Sequence, residues 1–99
     1  MISRYNSSLR KLILMQENIQ ATKDHCAFCY QTLDAKLRGQ KLPEFPKELK
    51  DHKVPIFVTW LLNGDLRGCI GTFEPEKLSK LLGKYSLISA LNDDRFDPI

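Results

Sequence analysis

The stretch that most constrains the fold comprises residues 55–73, with the sequence PIFVTWLLNGDLRGCIGTF. Its first part is rich in β-branched and aromatic residues, which favour a pleated strand. Asn63 and Gly64 follow, and these residue types readily adopt the positive φ angles of a type I′ hairpin turn. The stretch therefore predicts two antiparallel strands joined by a tight turn.

The turn also predicts which residues of the two strands face each other, because register in a hairpin follows the turn. A shift of one residue through Asp65 would change every pair. Because alternate residues share a face, Arg67 and Cys69 are expected to project together beside Trp60 and Val58. The predicted pairs are Leu61–Leu66, Trp60–Arg67, Thr59–Gly68, Val58–Cys69 and Phe57–Ile70.

The returning strand, LRGCIG at residues 66–71, has an unusual composition for a strand. Glycine weakens a strand interior, so Gly68 and Gly71 indicate a bulge, or a close approach of another backbone or of a ligand. A potential nucleophile, Cys69, lies between the two glycines, and a permanent cation, Arg67, lies just before the first of them. This composition indicates a requirement beyond strand formation.

Three interpretations of LRGCIG remain open. In the first it is structural, with glycines that permit close packing and a buried Cys69. In the second it is a recognition surface, where Arg67 offers a planar fork to a carboxylate or phosphate and Trp60 lies beside it. In the third Cys69 is a nucleophile whose thiolate is favoured by Arg67. The third interpretation lacks an identifiable base, because no sequence pattern places His25 or His52 beside the cysteine.

The composition excludes several classes of protein. Ninety-nine residues with 42% hydrophobic content are enough for one small domain. The net charge of +3 is spread over interleaved lysines and acids, which argues against a nucleic-acid-binding face. No run approaches the roughly 20 apolar residues of a membrane span. Three cysteines do not make a disulfide scaffold, so we expect a reducing compartment.

Residues 1–23 are treated as an N-terminal extension. The first twenty residues are amphipathic at helical spacing, carry Arg4, Arg10 and Lys11, and have no acid before Glu17. This composition is typical of a mitochondrial transit peptide, and a short terminal helix or an irregular extension is the alternative. A natural start at Met15 is a third option.

A first helix is predicted over residues 24–40, with Asp24 as N-cap and Gly39 as its stop. Its apolar stripe comprises Cys26, Cys29, Tyr30, Leu33 and Leu37. Zinc usually needs four ligands, and the other candidates, His25, His52 and Cys69, have no recognisable spacing. We therefore expect both stripe cysteines to be buried core residues, and we expect no metal or cofactor.

A second helix is predicted to start near Pro75, where Glu74 and Glu76 would meet the positive helix end. Its apolar stripe runs to residue 91, and residues 92–94 end it. Gly83 costs this helix about 1 kcal/mol relative to alanine, which indicates tight packing against a neighbour. Arg95 is expected to be a structural ion-pair or capping residue. The pattern of helix, hairpin and helix predicts an α+β fold, with helices packed on one face of an antiparallel sheet.

The segment LRGCIGTF, preceded by PIFVTW and followed by SALNDDRFDPI, resembles the AMMECR domain family. HCAFCYQTLDAKL likewise resembles the cysteine-bearing first helix of its eukaryotic members. The resemblance implies that residues 24–99 are the N-terminal half of such a domain, whose further strands would follow Ile99. Because a lone hairpin is marginally stable, we expect the chain to be a truncated product or an incorrect gene model.

The resemblance gives a fold more firmly than an activity. Bacterial and archaeal relatives are linked with Memo-type proteins and radical-SAM enzymes, which implies a shared modification pathway or a partner module. Eukaryotic relatives resemble cytoplasmic or nuclear proteins, with the mitochondrion as the alternative location here. We expect a binding or regulatory module for a protein partner or a small anionic ligand; the alternative is an uncharacterised enzyme with Cys69 as nucleophile. The expected binding residues are Trp60, Arg67, Gly68, Cys69 and Gly71.

Overall fold

A computed structural model describes the backbone of residues 2–5 and 10–13, and residues 21–99 in full. Two helices and a mixed sheet make up this part of the chain, so the predicted α+β class is confirmed. The sheet order is β2-β1-β3-β4. The elements are β1 (Ile2–Tyr5), β2 (Arg10–Ile13), α1 (Lys23–Leu37), β3 (Lys53–Leu62), β4 (Asp65–Lys77) and α2 (Leu78–Leu91).

The hairpin of β3 and β4 is not alone in the sheet. Strand β1 pairs in parallel with β3 and antiparallel with β2, so β3 is paired on both sides and β4 is an edge strand. The expectation of a lone hairpin is therefore wrong, and residues 2–5 and 10–13 are strands rather than part of the terminal helix that was one alternative for the first twenty residues. The targeting role of residues 1–23 stays a prediction, and the alternative start at Met15 lies outside the described residues.

The predicted turn is confirmed, but the predicted register holds only beside it. Asn63 and Gly64 have φ angles of 53° and 84°, and Leu61 faces Leu66. The register then shifts by one residue, because Arg67 occupies a β-bulge. The remaining predicted pairs are wrong; the observed pairs are Trp60–Gly68, Thr59–Cys69, Val58–Ile70 and Phe57–Gly71.

The position of α2 explains the bulge. A Cβ atom at Gly68 would lie 1.9 Å from the backbone oxygen of Ser89 in α2, so the helix leaves no room for a side chain there. In the unbulged register Arg67 would face Trp60 on the side that α2 covers. The extra residue places glycine under the helix instead of arginine.

The core lies between the hairpin and the helices. Helix α2 packs on β3 and β4, and α1 packs on α2. Within the part of the chain that the structure describes, no helix combines the length and apolar character needed to cross a bilayer. The buried apolar residues include Cys26, Cys29 and Leu33 from α1, Ile56, Val58 and Trp60 from β3, and Leu78 and Leu82 from α2.

The start of α1 differs from the prediction. Thr22, not Asp24, is the N-cap, and its hydroxyl oxygen accepts the backbone N–H of Asp24. His25 completes a capping box by accepting the backbone N–H of Thr22. Threonine and aspartate both cap helices well, so local preference could not separate them.

The end of α1 and its buried cysteines agree with the prediction. Gly39 follows the last turn with a φ of 68°, as expected for a helix stop. Cys26 and Cys29 are completely buried. Tyr30 and Leu37, which belong to the same apolar stripe, are half-exposed.

Helix α2 starts later than predicted. Strand β4 continues through Pro75 to Lys77, because proline is tolerated on an edge strand, where its missing N–H breaks no ladder. The first backbone N–H groups of α2 donate to residues just before β3. Ser79 donates its N–H and its hydroxyl to Asp51, at 2.7 and 2.6 Å, and Leu78 donates to the carbonyl of His52 at 2.9 Å.

Gly83 in the middle of α2 is not tightly packed. A Cβ atom there would lie 3.6 Å from the ring of Phe28, which is an ordinary van der Waals contact. The predicted close packing at this glycine is therefore wrong, and the position has room for a methyl group.

Candidate functional site

The segment after α2 binds the backbone of the LRGCIG strand. The carboxylate of Asp93 accepts the N–H of Cys69 at 3.0 Å, and the guanidinium of Arg95 donates to the carbonyl oxygen of Cys69 at 3.2 Å. These are the backbone groups that a further strand would pair with at the open edge of β4. Two side chains thus replace a neighbouring strand at this position.

Asp93 and Arg95 form a fixed ion pair. Asp93 is buried and accepts the Nε and Nη2 protons of Arg95 at 2.9 and 2.7 Å. The hydrogen bonds from the Arg95 side chain and from the Cys69 backbone hold the pKa of Asp93 well below its usual range. Asp93 in turn raises the pKa of Arg95. The predicted structural role of Arg95 is confirmed.

Trp60, one of the predicted binding residues, is a core residue. Only 3% of it is exposed, and its indole Nε1 donates to the carbonyl of Ser86 at 2.8 Å. The hydroxyl of Ser89 donates to the carbonyl of Val58, also at 2.8 Å. Hydrogen bonds therefore connect α2 to β3 directly behind the strand LRGCIG, and Trp60 supports that strand from within.

Gly68 and Gly71 are both required by neighbouring backbone. A Cβ atom at Gly71 would lie 2.0 Å from the carbonyl oxygen of Ile56, and the one at Gly68 would meet Ser89 as described above. Of the alternatives that the sequence left open, the bulge and the close approach of another backbone are confirmed. The two glycines position the strand.

Cys69 lies on the opposite sheet face from Trp60, because the bulge moves it opposite Thr59. Its thiol is partly exposed, and the hydroxyl of Thr59 donates to its sulfur at 3.2 Å. The guanidinium of Arg95 lies near Cys69, and its interaction with Cys69 contributes to the raised pKa of Arg95. The Nδ1 of His25 is engaged with Thr22 in the α1 cap, and none of the hydrogen bonds described for Cys69 involves a histidine.

Arg67 differs from Arg38 and Arg95, the other two arginines whose side chains the structure describes, in how its guanidinium is satisfied. The Nε of Arg38 donates to Asp34 at 2.8 Å, and that of Arg95 donates to Asp93. The Nε of Arg67 is buried and has no hydrogen-bond partner among the described residues. A buried donor without an acceptor is unfavourable, and a guanidinium cannot become neutral to relieve the cost.

Comparison with known proteins places the chain in a family. The family model described as AMMECR1 matches residues 26–99. This chain belongs to the AMMECR1 family. The match includes most of α1, the hairpin, α2 and the Asp93–Arg95 pair, and it confirms the resemblance on which the family was inferred.

Relatives of this AMMECR1-family chain occur in distant organisms. It is 37% identical over 86 residues to an uncharacterised Arabidopsis thaliana protein, covering 82% of this chain and 39% of the relative. It is 51% identical over 61 residues to an uncharacterised Kluyveromyces lactis protein, covering 58% and 24% respectively. A Thermoplasma volcanium protein is 39% identical over 69 residues, covering 66% and 34%.

The AMMECR1-family chain spans about a quarter to two-fifths of the length of these curated relatives. No solved structure matches it. Within the described part of the chain, no group of three or more histidine, cysteine, aspartate or glutamate side chains is arranged to hold a metal ion.

Sequence reasoning missed three polar residues that build this site in the AMMECR1-family chain. Ser86 and Ser89 are three residues apart in the second half of α2, which places them on one face, and that spacing was a usable signal. Asp93 was interpreted only as part of a helix end. Its partner, Cys69, is 24 residues away, and no local pattern could have indicated the contact.

Proposed function

We propose that this AMMECR1-family chain is an intracellular binding or regulatory module that recognises a carboxylate or phosphate group through Arg67. The observation that carries the proposal is the buried Nε of Arg67, which has no acceptor among the described residues. A guanidinium presents parallel N–H donors that match a carboxylate or phosphate. An anion on a protein partner, or a small anionic ligand, would supply the missing acceptor.

The strand around Arg67 is held rigidly, which supports this role. Gly68 lies directly under the backbone of Ser89, and both backbone groups of Cys69 are bonded by Asp93 and Arg95. A group that is already ordered loses little conformational entropy on binding. The bulge thus presents Arg67 from a fixed backbone.

The other predicted site residues act on the strand rather than on the ligand. Gly68 and Gly71 permit the close packing of neighbouring backbone. Trp60 fills the core and bonds to α2. Within this proposal they are positioning residues, and Arg67 makes the contact.

A cytoplasmic or nuclear location is part of the proposal. None of the three cysteines, all of which lie in the described part of the chain, forms a disulfide, which fits a reducing compartment. Microscopy of the full chain with a C-terminal fluorescent tag tests it. Mitochondrial signal that disappears when residues 1–23 are deleted would overturn the location and assign a targeting role to that segment.

A second candidate function is catalysis with Cys69 as nucleophile. It rests on the hydroxyl of Thr59, which donates to the sulfur, and on the nearby guanidinium of Arg95. The candidate needs a general base, and none of the described contacts of Cys69 supplies one.

Two matched variants separate the candidates. Binding of inorganic phosphate and of acetate is measured by calorimetry on the full chain, on Arg67→Lys and on Cys69→Ser. An ammonium cannot reproduce the planar fork, so Arg67→Lys should weaken binding about tenfold or more, and Cys69→Ser should bind like the wild type. Arg38→Lys, which changes an arginine already paired with Asp34, controls for any general effect of replacing an arginine by lysine. Equal binding by Arg67→Lys and wild type would contradict the proposal.

A further inference from the structure

The capping box at the start of α1 has Thr22 as N-cap and a histidine, His25, at its third helical position. Capping boxes usually carry glutamate or glutamine there. The Nδ1 of His25 accepts the backbone N–H of Thr22 at 2.9 Å and lies 3.1 Å from the hydroxyl oxygen of Thr22. Because a backbone N–H can only donate, Nδ1 must be the unprotonated ring nitrogen. The cap therefore depends on a neutral imidazole.

The surroundings of His25 oppose a positive charge on its ring. His25 is buried and lies at the positive end of the α1 dipole. Two neighbours act electrostatically on the His25 ring. They are His52, from the segment before β3, and Asp24 of α1, which is the acidic one of the two in the described region. Burial lowers the pKa of His25 below 6.5, and His52 lowers it further, while Asp24 raises it.

We propose that the His25–Thr22 capping box is a latch at the start of α1 that opens when Nδ1 takes up a proton. A protonated Nδ1 directs its own N–H at the N–H of Thr22, so that hydrogen bond is lost. The protonated Nδ1 can then donate to the Thr22 hydroxyl oxygen, which lies 3.1 Å away. Ala21, buried in the core next to Thr22, loses part of its tether, and the first turn of α1 loosens.

The direction of the pH dependence follows from proton linkage. Folding lowers the pKa of His25, so the unfolded chain binds more protons than the folded chain between the folded pKa and 6.5. The stabilisation is complete above 6.5, decreases as the pH falls through this window, and levels off below the folded pKa. Acidification therefore opens the latch.

The test compares Tm between pH 7.5 and 5.0 for the full chain, His25→Gln and His52→Gln. Glutamine at this position keeps an acceptor for the Thr22 N–H and does not titrate. On acidification the wild type should lose about 4 °C or more relative to His25→Gln, and His52→Gln should still show the acid-sensitive loss. Parallel Tm curves for wild type and His25→Gln would overturn the proposal.

A second measurement needs no variant and remains decisive if His25→Gln does not fold. NMR titration of the wild type should give the His25 ring a midpoint below 6.5, and the backbone amide of Thr22 should shift with the same midpoint. A midpoint at or above 6.5, or a Thr22 amide that does not follow the ring, would overturn the proposal.

Discussion

The carboxylate of Asp93 accepts the backbone N–H of Cys69 across 3.0 Å, although the two residues are 24 positions apart. Arg95 holds the carbonyl of the same cysteine. The edge of β4 is thereby closed at the LRGCIG strand, since the groups that an added strand would use are occupied. The segment after α2 fixes the strand that carries Arg67.

Replacement of Asp93 should destabilise the fold. Asp93→Asn removes a buried charge that accepts bonds from Cys69 and Arg95, and we expect a loss of about 2 kcal/mol. In a chain of this size that corresponds to a fall in Tm of about 10 °C. Asp94→Asn is the matched control, because Asp94 is exposed, and it should change stability by no more than about 0.5 kcal/mol. Similar losses of stability in both variants would contradict a stabilising role for the contacts of Asp93 with Cys69 and Arg95.

Two glycine-to-alanine changes should act in opposite directions. At Gly68 the new methyl group would collide with the backbone of Ser89, so Gly68→Ala should cost about 3 kcal/mol. At Gly83 the nearest atoms are in the ring of Phe28, at ordinary contact distance, so Gly83→Ala should stabilise the helix by about 0.5–1 kcal/mol. Chemical denaturation measures both, and a neutral Gly68→Ala would show that α2 does not press on β4.

The reactivity of Cys69 distinguishes binding from catalysis. Cys26 and Cys29 are fully buried, so alkylation of the folded chain, followed by peptide mapping, reports Cys69. We expect its alkylation rate at neutral pH to be no faster than that of a free cysteine. A hyper-reactive thiol, slowed by Thr59→Val, would instead support the enzyme, because that change removes the hydroxyl that donates to the sulfur.

Local sequence signals were sufficient for several parts of the fold. Asn63 and Gly64 predicted the turn because few other residues accept positive φ. Cys26 and Cys29 were predicted to be buried from their spacing with Leu33. The glycines of the returning strand indicated the bulge and the close backbone approach, since a strand interior otherwise disfavours glycine.

The errors arose where distant segments meet. Trp60 was wrongly predicted to pair with Arg67. The bulge that separates them is set by α2 lying over Gly68, and the hairpin sequence contains no sign of this tertiary contact. The α2 start was placed at Pro75, although its first donors are satisfied by Asp51 from another part of the chain. The clamp of Asp93 on Cys69 was missed for the same reason.

The most direct test of the proposed function is a proton–nitrogen NMR titration of the full chain with inorganic phosphate, observed at the arginine Nε–Hε groups. The Nε of Arg38 and that of Arg95 are already bonded to carboxylates, so they serve as internal controls. We predict a saturable shift at Arg67 with little change at the other two. Equal small shifts at all three arginines, or no shift at Arg67, would contradict recognition of an anion by this residue.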